Sequence, residues 1–393
     1  MTRRTLFVAY YTAIFLQAGT YGLTFLLPPL FATFGGTETD VGFVLGITAV
    51  TTIITILWLG HLTSRLGRME TIVVSSGLIT AALIIFGTVE KLGFAINIAG
   101  ALLGIGWGLY YVLTPVVLTQ LIDKTERVRA FTLLSVFVMA GFGLAPVVGG
   151  SLVKAGFDVA TSFLLLGVLC ILSGAIFWFL KRPVQTHSVT SSEQATTELS
   201  FSILGQVFRS KALRPIIMVW LGASVFAAVA NFQTVYAGLR GLDYSWYFLA
   251  YTITVVICRI ALAEFIGGRA PYGVIAALLA IMTASIILLL VLGESDVLYV
   301  LAAVLFGIGY GVSYPIVKAM GANDASPDIM SQTLQIFGVA YFIGVFGFPF
   351  AAGWVINNFS MIALLWIAVV MAAIECLLSL QRYLHARQAS SKD

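Results

Sequence analysis

The chain has 393 residues, of which 60% are hydrophobic and only 10% are charged, and its formal net charge at pH 7 is +4. A soluble protein of this length needs a charged surface, and about 25% of its residues are charged. The composition therefore excludes an ordinary soluble globular protein and indicates one that uses a lipid bilayer as its solvent. The basic residues form no patch, so the positive charge does not indicate nucleic-acid binding.

Twelve apolar runs follow one another along the chain, each close to the ~20 residues that a helix needs to cross the hydrocarbon core. The first run ends in Pro28 and Pro29 without a small-residue cleavage site, so we interpret it as a spanning helix and not as a signal peptide. The predicted helices cover about residues 6–31, 41–63, 70–89, 94–121, 130–153, 160–180, 212–237, 245–266, 271–292, 297–319, 330–356 and 360–381.

A polar segment separates the first six runs from the last six. Its middle, 185–200, is rich in Ser, Thr and Gln and indicates a flexible linker. Residues 199–208 form either a short amphipathic helix on the membrane surface or part of a simple tether, and we favour the tether. We therefore predict an N-terminal six-helix bundle over residues 1–180, a linker over 181–211 and a C-terminal six-helix bundle over 212–393.

The distribution of Lys and Arg predicts the orientation in the membrane. If the N-terminus is cytoplasmic, all but three of the 21 basic residues lie on or near the cytoplasmic side, the exceptions being Lys91, Lys154 and Arg240. Because cytoplasmic loops carry an excess of positive charge, we expect both termini and the linker to be cytoplasmic.

Two glycine-rich stretches mark an internal repeat. Gly104 to Tyr111 reads GIGWGLYY, Gly307 to Tyr314 reads GIGYGVSY, and the two stretches lie 203 residues apart. Three helix-softening positions recur at the same offset, and we predict that all six are helix pivots: Gly141, Pro146, Gly150, Gly344, Pro349 and Gly353. This repeat predicts an all-α membrane protein with twelve transmembrane helices in two pseudo-symmetric six-helix bundles.

The loop after the second run carries a recognisable motif. Residues 60–69 read GHLTSRLGRM, which resembles the loop G-x-L-x-D-R-x-G-R-R of the major facilitator superfamily. The matching residues are Gly60, Leu62, Arg65, Gly67 and Arg68. The resemblance implies that Arg65 and Arg68 take part in a cytoplasmic gate. Ser64 stands where the family has Asp, so a salt bridge from that position is not expected.

Two further stretches extend the resemblance to the superfamily. Residues 141–150, GFGLAPVVGG, resemble its antiporter motif G-x-x-x-G-P-x-x-G-G, which implies export. The second half resembles the bacterial sugar-efflux, multidrug and metallophore exporter branch, and the matching residues are Tyr251, Thr252, Arg259, Tyr314 and Pro315. The family further implies a cavity lined mainly by helices 1, 4, 7 and 10.

Ionisable residues inside apolar runs are functional candidates by default. Arg259 and Glu264 are candidates for coupling or gating, although snorkelling to the cytoplasmic interface explains them equally well. We expect Lys318 and Glu375 near cytoplasmic helix ends, in gate or surface roles. The middle of helices 1, 4, 5, 7, 10 and 11 has no Asp or Glu, which argues against a dedicated cation site.

Polar and aromatic residues of helices 1, 4, 7 and 10 are the candidates for contacting a solute. Individually, such residues near helix ends also fit an interfacial belt, but aromatic pairs beside glycines suit a site for an uncharged or mixed-charge solute. The predicted substrate-binding residues are Gln17, Tyr21, Trp107, Tyr111, Asn231, Gln233, Tyr310 and Tyr314.

The sequence has no G-x-x-x-x-G-K-[ST] phosphate loop, no paired nucleophile and base, and no metal-ligand spacing among its Cys and His residues. We therefore expect neither an enzyme nor a bound cofactor or metal. The expected function is secondary active transport of a small organic solute by a monomer in the bacterial cytoplasmic membrane, as a proton-coupled exporter. The alternative is an importer or facilitator of a metabolite such as a sugar, an organic acid or a siderophore.

Overall fold

The structure is a computed structural model that describes residues 1–188, 201–262, 271–326 and 329–390. Within these residues, twelve helices are long and apolar enough to cross a membrane, and we number them helix 1 to helix 12. They span Arg3–Ala32, Glu38–Leu66, Arg68–Thr88, Phe94–Leu121, Arg129–Lys154, Val159–His187, Leu213–Asn231, Tyr244–Ala261, Tyr272–Val291, Asp296–Asp324, Gln332–Asn358 and Met361–His385.

Three of these helices are irregular. Helix 1 tightens into a 3₁₀ turn at Leu23–Leu26 before its last segment, Leu27–Ala32, which has proline in its first turn. Helix 7 breaks at Phe232 and continues as the short helix Gln233–Gly238. Helix 11 contains a π-helical turn at Ile343–Gly347. Such irregular backbone is tolerated in a membrane protein where it is buried in the protein or lines a cavity.

Short-range signals set the ends of helix 2. The Thr37 backbone N–H donates to the Asp40 carboxylate over 2.8 Å, which is one half of a capping box at its start. Gly67 ends the helix with φ of +92°, a conformation that favours glycine, and the chain turns there directly into helix 3. The glycine of the loop motif is therefore required by the turn.

The same packing recurs in both halves at the glycines of helices 4 and 10. A Cβ on Gly106 would lie 2.5 Å from the Ile79 side chain of helix 3. A Cβ on Gly309 would lie 2.6 Å from the backbone nitrogen of Met282 in helix 9. Gly309 and Met282 follow Gly106 and Ile79 by 203 residues each, which is the offset of the sequence repeat.

A second pair of contacts repeats in the same register. The added Cβ at Gly104 would collide with the Thr48 carbonyl of helix 2, and at Gly307 it would come within 3.2 Å of the Tyr251 carbonyl of helix 8. Helices 2, 3 and 4 therefore pack as helices 8, 9 and 10 do. This confirms the predicted fold class of two pseudo-symmetric bundles.

The segment between the bundles is more helical than the sequence predicted, both at its start and at its end. Helix 6 extends to His187, beyond the apolar run that ends at residue 180, and Lys181 in this extension pairs with Glu70 of helix 3. A short helix occupies Phe201–Arg209, so the preference for a simple tether was wrong there. Residues 189–200 of the predicted linker lie outside the described residues, and the domain limits remain a prediction.

The bundles meet at the end of the molecule opposite the termini, which we call the distal end. There the Gly353 carbonyl of helix 11 accepts a hydrogen bond from Thr39 of helix 2 over 3.4 Å. Lys154 at the end of helix 5 forms an ion pair with Asp243, just before helix 8. At the other end, which we call the terminal end, each ion pair of the described residues stays within one bundle: Arg3–Glu126, Glu70–Lys181 and Asp324–Arg382.

Gly309→Ala should lower the thermal unfolding midpoint of the purified protein in detergent. The new methyl group would meet backbone atoms of helix 9, and overpacking of this kind costs about 1–3 kcal/mol. Gly338→Ala is the matched control in helix 11, because a Cβ there meets nothing within 4 Å. Equal midpoints for the two variants would show that close approach at Gly309 does not stabilise the fold.

Candidate solute cavity

A cavity of about 320 Å³ lies between the two bundles. Trp107 and Tyr310 mark its deepest level, since they stand at the middle of helices 4 and 10. Both helices run towards the terminal end, and the residues that follow these two positions form the rest of the wall. The described lining residues are Trp107, Tyr110, Tyr111, Thr114, Pro115, Phe131, Leu134, Ser135, Val138, Met139, Phe142, Phe226, Arg259, Tyr310, Tyr314, Pro315, Lys318 and Tyr341.

Four of the predicted substrate residues come together in this cavity: Trp107, Tyr111, Tyr310 and Tyr314. The hydroxyl oxygens of Tyr111 and Tyr314 lie 2.6 Å apart and share a hydrogen bond between the bundles. These two tyrosines are equivalent in the repeat. A contact between equivalent residues lies on the pseudo-two-fold axis, so the cavity occupies the centre of the molecule.

Aromatic rings form much of the wall. Tyr341 of helix 11 stacks on Tyr111 with ring centroids 5.6 Å apart and lies 5.0 Å from the Tyr314 ring. Phe226 of helix 7 stacks on Tyr310 at 4.8 Å. The polar edges of these rings and their apolar faces suit a solute that is itself partly apolar.

Arg259 projects from helix 8 into the cavity and is only 6% exposed. Its Nε donates to the Gly311 carbonyl over 3.0 Å within its own bundle. Its Nη1 donates to the carbonyl of Ser135 in helix 5 over 3.3 Å and to the Ser135 hydroxyl. Snorkelling to the membrane interface is therefore the wrong interpretation of this residue. Glu264 lies outside the described residues.

Gln17 does not line the cavity. Its side-chain nitrogen donates to Ser75 over 3.1 Å, and its side-chain oxygen accepts from Ser76 over 2.7 Å and from Ser173 over 3.2 Å. These three serines belong to helices 3 and 6. The amide is thus hydrogen-bonded through both its nitrogen and its oxygen inside the N-terminal bundle, where it holds three helices together.

Asn231 and Gln233 also lie away from the cavity. The side-chain oxygen of Asn231 accepts a hydrogen bond from Thr24 of helix 1 over 3.3 Å, as part of the contact between the bundles. The Gln233 side-chain nitrogen donates to the Tyr299 hydroxyl over 2.7 Å within the C-terminal bundle.

Tyr21 is adjacent to the cavity but is covered. Its ring lies 4.3 Å from the Phe142 ring and 5.3 Å from the Trp107 ring, and both of those residues line the wall. Helix 1 accordingly contributes none of the described lining residues, although the family resemblance implied that it would.

The loop motif lies at the terminal end. Arg65 is exposed and Arg68 is half-buried, on either side of the turn at Gly67. Ser64 donates to the His61 carbonyl of its own helix over 2.9 Å, so its hydroxyl is engaged locally.

Each half has a predicted pivot with two glycines, and we call the first, Gly141 or Gly344, the inner glycine and the second, Gly150 or Gly353, the outer glycine. The two inner glycines occupy equivalent places. A Cβ on Gly141 would lie 2.5 Å from the Phe15 carbonyl of helix 1, and one on Gly344 would lie 2.8 Å from the Trp220 carbonyl of helix 7. Each glycine therefore permits close packing inside its own bundle.

The outer glycines face the opposite bundle instead. Gly150 of helix 5 approaches Ser245 of helix 8, and Gly353 of helix 11 approaches the backbone of Glu38 in helix 2. The prolines differ between the halves: Pro146 lies inside a continuous helix, whereas Pro349 lies two residues after the end of the π-helical turn.

Two functional candidates were missed or misplaced from sequence, Tyr341 and Glu375. Tyr341 was missed because only helices 1, 4, 7 and 10 were considered, although its repeat-equivalent Val138 also lines the cavity. Lys318, expected near a helix end in a gate or surface role, is exposed and lines the cavity near its terminal end. Glu375 is 2% exposed, near the middle of helix 12 and against Gly222 of helix 7, so its expected position near a helix end was wrong.

Twelve spanning helices in two repeated bundles around a central cavity define a multi-pass membrane transport protein. The model of the Major Facilitator Superfamily matches residues 9–349, and the chain belongs to that superfamily. Its members are secondary transporters, so the chain is a transporter and not an enzyme.

Solved structures share the fold at low sequence identity. The human organic anion transporter MFSD10 (TETRAN) superposes with a TM-score of 0.69 at 16% identity, over 96% of this chain and 100% of that chain. A mutant of the nucleoside transporter NupG superposes with a TM-score of 0.74 at 14% identity, over 96% and 99% of the two chains. A search of curated proteins returned no significant match.

Tyr111→Phe and Tyr314→Phe should each destabilise the protein by about 0.5–1.5 kcal/mol, because either change removes the shared hydrogen bond. The double variant should cost no more than the larger single effect, since both changes remove the same bond. Thermal unfolding in detergent measures all three.

Tyr10→Phe combined with Tyr314→Phe is the matched control. Tyr10 donates to the Thr114 carbonyl over 2.6 Å within the N-terminal bundle, so these two effects should add. Simple additivity of Tyr111→Phe and Tyr314→Phe would instead mean that the two hydroxyls are not coupled.

Proposed function

We propose that this protein moves a small organic solute across the bacterial cytoplasmic membrane by alternating access, with the solute bound in the central cavity. The observation that carries the proposal is the position of the cavity on the pseudo-two-fold axis, which the Tyr111–Tyr314 contact marks. Contacts between the bundles hold the distal end closed. Rocking of the bundles would open that end and close the other. Trp107, Tyr111, Tyr310 and Tyr314 are the proposed solute contacts.

The proposed orientation puts both termini in the cytoplasm. The support is the excess of Lys and Arg at the terminal end, because cytoplasmic loops are enriched in these residues. In this orientation the cavity lies towards the cytoplasm, and Arg65 and Arg68 belong to the gate that would close there.

The proposed direction is export coupled to protons, which rests on the antiporter-like stretch at residues 141–150. Import or facilitated diffusion of a metabolite is the second candidate, favoured by the absence of an acid in the middle of helices 1, 4, 5, 7, 10 and 11. Solved structures of the same fold are named for an organic anion transporter and a nucleoside transporter, so the fold does not select a solute.

The outer glycines and the inner glycines have different proposed roles. Gly141 and Gly344 stay inside their bundles as flexible packing points next to Pro146 and Pro349. Gly150 and Gly353, which face the opposite bundle, are proposed to separate from it when the distal end opens.

Cells that express the protein should accumulate less of a transported labelled solute than cells that express a cavity variant such as Trp107→Ala. A protonophore should abolish the difference if export depends on the proton gradient. Higher accumulation in the expressing cells would contradict export, and higher accumulation that is insensitive to the protonophore would support facilitated diffusion.

Asp243→Asn should shift the conformational equilibrium towards an open distal end. Partial burial raises the pKa of the Asp243 carboxyl, but the hydrogen bonds from Lys154 and Ser245 outweigh this effect and hold the pKa below its usual value. The ion pair therefore favours distal closure at neutral pH, and this contribution is lost only when the pH falls through that lowered pKa. Because Lys154 is 64% exposed, the pair is worth about 0.2–1 kcal/mol, a shift of up to about fivefold.

Spin labels at Lys91→Cys and Glu294→Cys, in distal loops of opposite bundles, would measure this shift by electron paramagnetic resonance in a background without native cysteines. Glu126→Gln is the matched control, because that carboxylate pairs with Arg3 inside one bundle and should leave the distal distance unchanged. An unchanged distance distribution in Asp243→Asn would contradict the role of the ion pair in closure.

A further inference from the structure

The central cavity carries positive charge without negative charge among its described residues. Arg259 and Lys318 are its charged lining residues, and neither takes part in an ion pair of the described part of the chain. Lys318 is exposed at the terminal side of the cavity, whereas Arg259 is buried at its inner wall.

The hydrogen bonds of Arg259 leave its charge uncompensated. Its described partners, the Gly311 carbonyl, the Ser135 carbonyl and the Ser135 hydroxyl, are all neutral acceptors. They satisfy individual N–H groups and fix the plane of the guanidinium, but they supply no opposite charge. An ionised side chain removed from water is costly unless it is paired, so this site is electrostatically incomplete.

Other residues of the cavity wall indicate which chemical groups a ligand that pairs with Arg259 would carry. The Trp107 Nε1–H is buried and has no hydrogen-bond partner in the described structure, which leaves a second donor beside the cavity. The remaining surface is mainly aromatic and aliphatic, with the faces of Phe226, Tyr310 and Tyr341 among the walls. A guanidinium binds a carboxylate or phosphate group well because its planar donors match two oxygens, and the aromatic walls favour an apolar body.

We propose that the solute of this cavity is an organic anion, with its acidic group paired to Arg259 and an apolar or aromatic body packed between the tyrosines. This inference rests on the proposed transport function and adds the chemical class of the solute. Lys318 attracts the anion at the entrance of the cavity, and Arg259 selects it at the binding position.

Arg259 also links anion binding to the contact between the bundles. It belongs to helix 8, and Ser135 belongs to helix 5 of the other bundle. An anion that accepts the hydrogen bond of Arg259 Nη1 in place of Ser135 neutralises the guanidinium charge and weakens a contact between the bundles. Binding of the anion therefore favours rearrangement of the two bundles.

The test uses the purified full chain and three compounds that share one aromatic body: naphthalene-2-carboxylate, naphthalene-2-carboxamide and 2-naphthylmethylamine. Equilibrium dialysis measures binding, and exchange in proteoliposomes measures movement. The carboxylate should bind about 10-fold to 100-fold more tightly than the carboxamide, as expected for hydrogen bonds to a charged group, and the amine should bind least.

Arg259→Gln should bring the preference for carboxylate over carboxamide close to unity, whereas Arg259→Lys should keep part of it. Lys318→Gln is the matched control for loss of one positive charge: its side chain is exposed, so the preference should fall by less than about fivefold. The thermal unfolding midpoint of Arg259→Gln, measured beside that of the unmodified protein, checks that the variant is folded.

The outcomes separate this inference from the proposed function. Equal binding and exchange of the carboxamide and the carboxylate would overturn the anion proposal and leave the transporter proposal standing. The anion proposal is also overturned if the carboxylate does not bind, or if Arg259→Gln keeps the full preference. Failure of the protein to move any solute in either direction would contradict the proposed function itself.

Discussion

The close approach of helix backbones at repeated glycines is the constraint on which the architecture depends. Lipid removes the hydrophobic driving force for burying apolar side chains, so helices in a membrane associate where small residues allow close van der Waals packing. Gly104 and Gly106 bring helix 4 against helices 2 and 3, and Gly307 and Gly309 do the same for helix 10. Once these contacts fix both bundles in equivalent form, Tyr111 and Tyr314 face each other across the axis, and the cavity follows from their arrangement.

The electrostatics of the cavity follow from the same geometry. Helix 8 packs against helix 10 closely enough for Arg259 to reach the Gly311 carbonyl, which holds the guanidinium at the inner wall. Sequence identity of 16% or less to solved transporters of this fold carries no information about the solute. The charge of the wall does carry such information, because a buried cation needs a partner whatever the ancestry of the fold.

The number of helices and the repeat were predictable from sequence because both depend on local signals. Apolar runs of sufficient length identify spanning helices, and glycines in register identify equivalent halves. The role of Gln17 was not predictable, because its partners Ser75, Ser76 and Ser173 are far away in sequence and serine is common in helices. The direction of Arg259 was not predictable either, since lipid-facing and protein-facing sides of a membrane helix are both apolar. The position of the binding wall required the packing of helices 5, 8 and 11, which no short motif specifies.

The π-helical turn of helix 11 makes the two halves mechanically unequal. Helix 5 is one continuous α-helix on both sides of Pro146, while helix 11 has an expanded turn at Ile343–Gly347, two residues before Pro349. A widened turn followed by a residue without a backbone N–H has fewer regular hydrogen bonds to resist bending. We therefore expect helix 11 to bend more easily than helix 5, so the two equivalent halves need not contribute equally to a conformational change.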